Sequence, residues 1–377
     1  MNVLFACGGT AGHINPALAI AEELRQRIPC VRILFVGAGN DMEKGLIPIA
    51  GYDLVNIRIS GIKRGFSPND LLYNLKTVRN LVTAGGETAK IIKEFSPSIV
   101  IGTGGYVCYP VLKKAAHMHI PTIIHESNAV PGLTTKLLST IADKVLVSFP
   151  DIEDQYRSPE RVIFSGTPVR GGFKTLAEDA KTPISNRKPV ILSFWGSLGA
   201  ARMNETILEF IKLNAKRGEY KHIHAAGRLC DAEDMKRRLK CEYSLEELPP
   251  DIEIKDYIED MQSVMAAADI VICRAGGSTI AELTAMGKPA VLIPSPYVAN
   301  NEQEKNARQL EKAGGAVVLE ERDCTGELLF NTVSMMLKDV NRMTSMSVAQ
   351  KAIGVPAAAE KIADVIISMA EEGIRNS

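Results

Sequence analysis

The chain has 377 residues, 46% of them hydrophobic and 23% charged, which is typical of a globular protein and favours two domains. Basic and acidic side chains balance at 44 each, so no net positive field predicts a nucleic-acid partner. Seven cysteines form no C-x-x-C pair and no histidine cluster has zinc spacing, which argues against a structural metal. The sequence has no apolar run near the roughly 18 residues of a membrane span and no signal-peptide pattern. We therefore expect a cytosolic protein.

A strand, a glycine turn and a helix open the chain. Val3–Cys7 is an apolar run, Gly8–Gly12 is the turn, and the pattern predicts a helix over Asn15–Arg25. The turn does not match G-x-G-x-x-G and the next strand ends without an acidic residue, so a dinucleotide-binding fold is weakly supported; no P-loop motif occurs. His13, at the end of the turn, could face a ligand or be an ordinary polar residue near a helix start.

The segment Ser60–Val82 mixes basic with apolar side chains. Its basic members are Lys63, Arg64, Lys76 and Arg79, and its apolar members include Ile62, Phe66, Leu71, Leu72 and Tyr73. Such mixing is used where proteins contact a membrane surface. An amphipathic helix that packs its leucines on the sheet explains the pattern equally well.

Residues 99–128 contain two further strands with polar or glycine-rich ends. The apolar run Ile99–Ile101 leads to Gly104 and Gly105, and the strand Thr122–Ile124 leads to the polar run His125–Asn128. Ligand contacts in open parallel sheets gather at the carboxyl ends of the strands. We therefore favour a functional role for His125–Asn128 over a role in the core.

The second half of the chain repeats this plan after a linker. Residues 166–188 have the glycine, proline and polar composition of a connection between domains. Beyond it, the strand Val190–Phe194 leads to another glycine turn, Trp195–Ala200, and a helix. We predict a first domain over residues 1–165 and a second over 189–356. A last helix, about 357–377, is expected to pack back on the first domain.

The stretch Ile270–Asn306 holds the strongest anion-site pattern of the chain. The strand Ile270–Ile272 runs into a glycine turn, and Ser278 and Thr279 are suitable N-cap residues for the next helix. The amides and the positive dipole end of such a helix bind phosphate. Glu282 lies one turn further on, where it could accept hydrogen bonds from a ribose. A capping box of Thr279 with Glu282 explains the spacing equally well.

Two halves with glycine loops suggest a nucleotide-sugar transferase, and several motifs make the resemblance specific. They are, in chain order, G-G-T-A-G-H-I-N-P (Gly8–Pro16), I-S-G-I-K-R-G, G-T-G-G-Y-V, H-E-S-N-A-V-P-G-L-T, G-T-P-V-R, G-S-L-G-A-A-R-M-N and C-R-A-G-G-S-T-I-A-E. With them the chain resembles, over nearly its whole length, the MurG family of bacterial peptidoglycan glycosyltransferases (glycosyltransferase family 28). The resemblance implies a GT-B fold, with two doubly wound Rossmann-like α/β domains facing across a cleft.

The resemblance also implies the reaction and its partners. Enzymes of this family move N-acetylglucosamine from their substrate UDP-N-acetylglucosamine (UDP-GlcNAc) to the N-acetylmuramyl 4-hydroxyl of undecaprenyl-linked lipid I, forming lipid II with inversion. The implied location is the cytoplasmic face of the cell membrane, bound peripherally, with proteins of cell-wall synthesis as further partners. The chain has no D-x-D triplet, so we expect no metal and no other cofactor.

Site residues are carried over where the family's motifs match this sequence. The expected donor contacts are Thr10, Ala11, Gly12, Asn128, Arg170, Ser197, Ile258, Gly277, Ser278, Thr279, Ile280, Ala281, Glu282 and Gln303. The expected acceptor-side residues are Gly104, Gly105 and Tyr106, with Ile62–Tyr73 at the membrane surface. Helix-end amides near Gly276–Thr279, with help from Arg170, would stabilise the departing UDP. His13 is the expected general base and Glu126 the alternative.

The chain departs from the family pattern at four positions. Trp195 and Leu198 replace Gly and Gln in the second-domain loop, Ala11 replaces a Gly, and Glu302 stands where His or Gln is common. Two rival functions stay open: another enzyme on the same fold, such as a nucleotide-sugar 2-epimerase or a glycolipid synthase, and a catalytically silent scaffold that binds nucleotide sugar. Donor turnover without an acceptor would favour the epimerase, and use of diacylglycerol the synthase.

Overall fold

The computed structural model describes residues 1–61, 83–170, 173, 187–243, 245 and 247–375. The chain divides into two compact units, one formed by Met1–Arg170 with Pro356–Ser377 and the other by Gly171–Val355. The segment Ile62–Tyr73, predicted to contact a membrane, lies outside the described residues, as does most of the predicted linker. Within the described parts of the chain, no helix combines the length and apolar character needed to cross a membrane.

Each unit is built on a parallel sheet. Among the residues that the structure describes, the first unit has seven strands: β1 (Asn2–Cys7), β2 (Arg32–Gly37), β3 (Asp53–Asn56), β4 (Ile99–Gly104), β5 (Thr122–Glu126), β6 (Lys144–Val147) and β7 (Val162–Phe164). The described part of the second has six: β8 (Val190–Phe194), β9 (Lys221–Ala225), β10 (Ile252–Lys255), β11 (Ile270–Cys273), β12 (Ala290–Leu292) and β13 (Ala316–Val318).

Helices connect the strands of both sheets. In the first half of the chain they are α1 (Ala11–Arg27), α2 (Asp41–Ile49), α3 (described over 83–95), α4 (Cys108–His117) and α5 (Leu133–Leu138). In the second half they are α6 (Ala201–Arg217), α7 (Ala232–Cys241), α8 (Met261–Ala267), α9 (Gly277–Met286), α10 (Glu302–Lys312), α11 (Gly326–Lys338), α12 (Val340–Ile353) and α13 (Ala358–Arg375).

The strand orders show that both units are doubly wound. The first sheet runs β3-β2-β1-β4-β5-β6-β7 and the second β10-β9-β8-β11-β12-β13, with every pair parallel. The order reverses between β1 and β4 in one unit and between β8 and β11 in the other. Ligands of open parallel sheets bind outside the carboxyl ends of the strands at such reversals. The predicted α/β class with two doubly wound halves is confirmed, and two switch points are defined.

The core of the first unit explains why β1 is an interior strand of its sheet. Val3, Phe5 and Cys7 are fully buried, and the ring of Phe5 stacks on that of Phe35 in β2 with 5.0 Å between centroids. Parallel strands covered on both faces require such continuous apolar runs. The following helix begins at Ala11, four residues before the predicted start, with Thr10 as its N-cap residue. His13 therefore belongs to the first turn of α1.

The C-terminal helix α13 packs on the first unit. It contacts α1, and its side chains Ile362 and Ile366 are fully buried in the apolar core of that unit. At the rim, Arg27 Nη1 lies 2.5 Å from Asp364 Oδ1. The burial stabilises the contact, whereas the exposed ion pair adds little.

The core of the second unit contains a buried polar chain. The Ser193 hydroxyl lies 2.7 Å from both His222 Nε2 and His224 Nδ1, and His224 Nε2 lies 3.3 Å from the Asn204 side-chain oxygen. Both histidines belong to β9, and their side chains are fully buried. Burial lowers the pKa of His222 well below its usual value and lowers the pKa of His224 to about 3, so both imidazoles are neutral at ordinary pH.

Candidate active site

Two glycine loops of the first unit meet at the switch point between β1 and β4. The amide of Gly8 donates to the carbonyl of Gly104 over 3.3 Å. Gly105 has φ +90°, and a Cβ at that position would lie 2.4 Å from the Gly8 carbonyl oxygen. A side chain would clash there and would require a strained backbone. The loops approach this closely because both consist of glycine.

His13 covers this junction. Its Nδ1 lies 2.9 Å from the Gly8 carbonyl oxygen and 3.4 Å from the Thr10 hydroxyl. Its ring lies over Gly104, where a Cβ would come within 2.8 Å of Nε2. Because a carbonyl only accepts hydrogen bonds, Nδ1 carries the proton of the neutral ring, and Nε2 keeps its lone pair. The half-buried imidazole is therefore arranged as a proton acceptor at Nε2.

The other predicted residues of the first loop lie next to His13. Thr10 is exposed and extended at the N-cap, and its carbonyl accepts from the amides of His13 and Ile14 at 3.1 and 3.2 Å. Ala11 and Gly12 are half-buried in the first helical turn. Ala11 has a negative φ, so the Cβ that distinguishes it from the family's Gly is tolerated.

Glu126 occupies the end of β5 and organises the loop that follows. Its Oε1 accepts from the amide and side-chain nitrogen of Asn128 at 3.1 and 3.0 Å, and its Oε2 accepts from the Gly132 amide at 3.0 Å and the Thr135 hydroxyl at 2.6 Å. The carboxylate is 6% exposed. Four donors occupy its lone pairs, which suits a loop support better than a proton acceptor.

His125 and Glu126 both belong to β5, although the sequence places them after the predicted strand. His125 is buried, and its Nε2 lies 3.0 Å from the Gly166 carbonyl oxygen. Burial lowers the pKa of His125, so it stays neutral. Its location therefore favours a structural role.

Tyr106 and Arg170 have different neighbours in the first unit. Tyr106 is half-buried beside Gly61, where a Cβ would lie 3.3 Å from the Tyr106 ring. Arg170 is exposed and contributes to a cavity of about 320 Å³ that is also lined by Leu18, Glu22, Arg25, Gln26, Ala50 and Tyr52. Four of these lining residues, Leu18, Glu22, Arg25 and Gln26, belong to later turns of α1 than His13. The structure thus groups His13, Thr10 and the glycines, but not Arg170.

A second pair of glycine loops lies beside the switch point of the second unit. Gly199, in the loop after β8, has φ +85°, and a Cβ there would lie 2.2 Å from the Ala226 carbonyl oxygen. The Ser197 carbonyl accepts from the Arg228 amide over 3.1 Å. The two departures from the family pattern differ in burial, because Trp195 is 4% exposed and Leu198 is 50% exposed. Trp195 packs into the core, and Leu198 projects from the loop.

The helix α9 begins at the same switch point. Its N-cap is Gly276, which replaces the predicted Ser278 or Thr279, and its first intrahelical bond runs from the Ile280 amide to the Gly276 carbonyl over 2.9 Å. Ser278 and Thr279 lie within the first turn, so the predicted Thr279–Glu282 capping box does not form. The amides of Gly277 and Thr279 precede any intrahelical acceptor and point toward the helix N-terminus. An anion there would be stabilised by them and by the helix dipole.

Glu282 lies in the second turn of α9. Burial raises the pKa of its carboxyl to about 8, well above the usual value. Ile280 is 4% exposed and packs inward, whereas Ala281 and Glu282 are half-buried. A half-buried carboxyl with a pKa near neutrality is typical of functional sites.

Gln303 is the second residue of α10, just after the loop that follows β12. Its Oε1 accepts from the Ser295 amide over 2.9 Å, which fixes the side chain at the start of α10. Asn300 and Asn301, just before it, have φ +55° and +52°, a conformation that asparagine tolerates better than most residues. Ile258, the expected uracil contact, is 5% exposed after β10. Its buried side chain leaves only its backbone for such a contact.

Sequence reasoning did not single out two buried charged residues, one in each unit. Arg274, directly after β11, places Nη1 2.7 Å from Glu321 Oε2, and the same nitrogen donates to the Ile293 carbonyl over 3.0 Å. Its guanidinium lies 5.9 Å from the Trp195 ring centroid. Glu43 is fully buried and accepts a hydrogen bond from the Gly9 amide. The spacing Asn40-x-x-Glu43 marks a capping box, which the structure contains, but it does not predict the bond to Gly9.

The described residues contain no group of three or more His, Cys, Asp or Glu side chains arranged to hold a metal ion. Main-chain amides are candidate phosphate contacts in the second unit, and the N-terminus of α9 supplies the clearest set.

Comparison with known proteins identifies relatives along nearly the whole chain. The family model described as the glycosyltransferase family 28 N-terminal domain matches residues 3–147, and the corresponding C-terminal domain matches residues 190–362. A protein of Acetivibrio thermocellus named UDP-N-acetylglucosamine–N-acetylmuramyl-(pentapeptide) pyrophosphoryl-undecaprenol N-acetylglucosamine transferase is 40% identical over 369 residues, 97% of each chain. A protein of the same name from Thermoanaerobacter sp. (strain X514) is 42% identical over 98% of this chain and 100% of its own.

A solved structure is similar in both fold and sequence. The crystal structure of MurG from Acinetobacter baumannii aligns with a TM-score of 0.72 and 26% identity, covering 97% of this chain and 99% of that one. The similarity therefore extends across both units and is not confined to the glycine loops.

Proposed function

The chain belongs to the MurG family, within glycosyltransferase family 28, and from this premise we propose that it transfers N-acetylglucosamine from UDP-GlcNAc to lipid I, forming lipid II. Its two parallel-sheet α/β domains are of the GT-B type predicted from the sequence. The observation that carries the proposal is the 40% identity over 97% of both chains to a transferase named for this reaction. The residues of the two switch points provide a chemical account of it.

The second unit is the proposed donor domain. The diphosphate of UDP-GlcNAc would bind at the N-terminus of α9, where the amides of Gly277 and Thr279 precede the first intrahelical bond. Glu282 would bind the ribose hydroxyls, and the Ile258 backbone would meet uracil. Gln303, held by the Ser295 amide, and the Ser197 loop would bind the remaining polar groups of the donor. These assignments combine helix-end chemistry with the family resemblance.

The first unit is the proposed acceptor domain, with His13 as general base. Nε2 of His13 would take the proton from the N-acetylmuramyl 4-hydroxyl while that oxygen attacks C1 of N-acetylglucosamine. The bond between C1 and the UDP oxygen breaks with inversion, and the electron pair leaves on UDP. The tautomer set by Gly8 supports this role, because it leaves the lone pair on Nε2. Gly104, Gly105 and Tyr106 would bind the acceptor near this base.

The leaving diphosphate is proposed to need no metal ion. Main-chain amides aimed at one point can stabilise developing charge without reorganising during the reaction. The N-terminus of α9 supplies such amides, and the chain has no D-x-D triplet to bind a bridging cation. Full activity in EDTA would support this part, and activity that requires added Mg²⁺ or Mn²⁺ would contradict it.

Binding to the cytoplasmic membrane surface is proposed through an apolar stripe on the first unit. Leu133, Leu137 and Ile141 are 58%, 48% and 38% exposed, and they recur every four residues. The exposed Lys136 lies among them. Apolar side chains beside a cation suit the interface of an anionic bilayer, where the lipid-linked acceptor resides.

Transfer of labelled N-acetylglucosamine from UDP-GlcNAc to a lipid I analogue tests the function directly. We expect acceptor-dependent formation of the disaccharide product and release of UDP. Two controls separate the rivals: incubation without acceptor detects epimerisation, and diacylglycerol as acceptor detects glycolipid synthesis. Binding of UDP-GlcNAc without any turnover would favour the scaffold and overturn the proposal.

A further inference from the structure

Glu43 is the most densely bonded carboxylate among the described residues of the first unit. It is fully buried at the third position of α2. Its Oε2 accepts from the amides of Ala38, Gly39 and Asn40 at 2.8, 2.7 and 3.3 Å. Its Oε1 accepts from the Asn40 side chain at 2.6 Å and from the Gly9 amide at 3.1 Å. All five partners are donors, a pattern that an ionised carboxylate satisfies.

One of these bonds exceeds what a helix cap requires. A capping-box glutamate bonds the backbone near its own N-cap residue, here Asn40, and that bond is present. The bond to Gly9 reaches 34 residues back along the chain, into the loop between β1 and α1. The carboxylate therefore joins the first turn of α2 to the loop that carries the proposed base.

The Gly9 amide and the Gly8 carbonyl belong to the same peptide group. Glu43 Oε1 accepts from its N–H, and His13 Nδ1 lies 2.9 Å from its oxygen. Because the peptide is planar, the two bonds leave it in opposite directions and orient each other. A carboxylate on the N–H also polarises the carbonyl and makes it a stronger acceptor for Nδ1–H.

This peptide would rotate easily without external support. Rotation of its plane changes ψ of Gly8 and φ of Gly9, and both residues lack the Cβ that would restrict them. Gly9 has φ +87° with no atom within 4 Å of an added Cβ, so packing there does not hold it. A flipped peptide would present N–H to Nδ1 and favour the other tautomer of His13.

We propose that Glu43 is a positioning residue that acts on His13 through the Gly8–Gly9 peptide, holding the imidazole with its proton on Nδ1 and its lone pair on Nε2. The inference rests on the proposed role of His13 as general base. Glu43 takes the part that a directly bonded carboxylate plays in His–Asp pairs, with one peptide inserted between the carboxylate and the ring. Steric space fits this assignment, since a Cβ on Gly8 or Gly37 would lie 2.2 or 2.6 Å from a Glu43 carboxylate oxygen.

The first test measures the unaltered protein. Protein labelled with ¹⁵N-histidine gives distinct shifts for protonated and unprotonated ring nitrogens, and comparison with His13→Gln assigns the signals of His13 among the six histidines. We expect the neutral His13 ring to carry its proton on Nδ1 and the Gly9 amide to exchange slowly. A proton on Nε2, or a rapidly exchanging Gly9 amide, would overturn the proposal without any variant having to fold.

The second test compares Glu43→Gln with Asn40→Ala. The Gln NH₂ would face the Gly9 amide, whereas Asn40→Ala weakens the α2 cap and leaves the carboxylate on Gly9. We expect Glu43→Gln to mix the His13 tautomers and to lower kcat about 10- to 100-fold, with the KM for UDP-GlcNAc changed less than about threefold. Asn40→Ala should keep the unaltered tautomer. If both variants change the His13 tautomer equally, or if Glu43→Gln does not change it, then Glu43 only caps α2 and does not position His13.

The two proposals can fail separately. The tautomer measurement needs no substrate, so it stands even if the unaltered protein transfers no sugar to lipid I. Normal transfer with an unchanged tautomer in Glu43→Gln would leave the proposed function intact and remove only the role of Glu43.

Discussion

Arg274 and Glu321 form a buried ion pair in the second unit, with 2.7 Å between Nη1 and Oε2 and side-chain exposures of 9% and 2%. Arg274 follows β11 directly, so the pair anchors the loop that leads into α9. Through the same nitrogen, Arg274 also bonds the Ile293 carbonyl at the end of β12. One guanidinium therefore links the loop that leads into α9, where the diphosphate is proposed to bind, to the main chain at the end of β12.

Arg274→Met should destabilise the protein by about 3 to 5 kcal/mol, because it leaves the buried Glu321 carboxylate with only the more distant Arg202, whose Nε lies 4.0 Å from Oε1. Urea unfolding followed by circular dichroism measures the loss. The matched control is Arg274→Met with Glu321→Leu, which removes both charges and should recover at least about half of the loss. A free energy of unfolding that falls by less than about 1 kcal/mol in Arg274→Met would show that the ion pair contributes little to stability.

His13→Ala should lower kcat by about 10² to 10⁴, the usual contribution of a general base. The affinity for UDP-GlcNAc, measured by calorimetry, should change less than about threefold, because the side chain lies in the acceptor unit. Glu126→Gln is the informative comparison. It should reduce stability by weakening the bonds to Asn128, Gly132 and Thr135, while the pH profile of kcat stays in place. Full turnover in His13→Ala would exclude His13 as the general base and favour Glu126 in that role.

Glu282→Ala should raise the KM for UDP-GlcNAc about tenfold or more, through loss of hydrogen bonds to the ribose. Because burial raises the pKa of Glu282 to about 8, Glu282→Gln resembles the protonated acid and should bind donor within about threefold of the unaltered protein at pH 7. As pH rises from 7 to 9 the ionised carboxylate can accept from both hydroxyls, so KM should fall. A KM in Glu282→Gln that follows pH as steeply as the unaltered protein would count against this assignment.

The buried pair His222 and His224 should make the protein sensitive to acid. Folding lowers the pKa of His224 from about 6.5 to about 3, so its neutral form contributes stability that is fully present above pH 6.5 and is lost as pH falls toward 3. Between pH 7.5 and pH 5 this loss is about 2 kcal/mol for His224 alone. Urea unfolding at the two pH values measures it. Replacement of His224 with Gln should flatten the dependence, and an unchanged slope would show that the acid sensitivity arises elsewhere.

Charge placed on the apolar stripe should release the protein from membranes. Leu133→Glu with Leu137→Glu should lower the fraction that floats with anionic phospholipid vesicles at least about threefold, since both apolar burial and attraction to the lipid are weakened. Transfer to a water-soluble lipid I analogue should stay unchanged. The control Leu328→Glu with Met335→Glu alters exposed apolar residues of the second unit and should not affect flotation. Equal flotation of the unaltered protein, the stripe variant and the control variant would show that the stripe does not mediate membrane binding.

Much of the fold could be predicted because its signals are local. Apolar runs such as Val3–Cys7 and Ile270–Ile272, each followed by glycine and a helix, predict parallel strands at the centre of a sheet. Those runs are β1 and β11, and each lies beside its switch point. The glycines of the candidate site were also found from the sequence, since turns that carry them follow directly after the strands.

Helix boundaries were less predictable. Ser278 is a better N-cap residue than glycine in isolation, yet α9 begins after Gly276. Pro16 suggested a first-turn position, but α1 begins five residues before it. In both cases the helix begins inside the glycine loop. At α1 that loop packs its backbone against Gly104 and Gly105, and this packing outweighs local preference.

The contacts that support the site could not be predicted, because they join distant residues. Glu43 bonds Gly9 over 34 positions, and Arg274 pairs with Glu321 over an even longer interval of the chain. Glu126 shows the converse. Its place at the end of β5 suggested a catalytic role, whereas its four hydrogen bonds favour a role in supporting the loop that follows the strand. Only the partners of a carboxylate distinguish a support from a proton acceptor.

The contact between Gly8 and Gly105 limits how this surface can evolve. A methyl group on Gly105 would collide with main-chain atoms, so no single replacement can reshape the floor beneath His13 without displacing β1 or β4. An inhibitor bound at that junction would meet the main chain of the glycine loops and the His13 imidazole. Resistance would then have to arise at the periphery of the inhibitor, where side chains are free to vary.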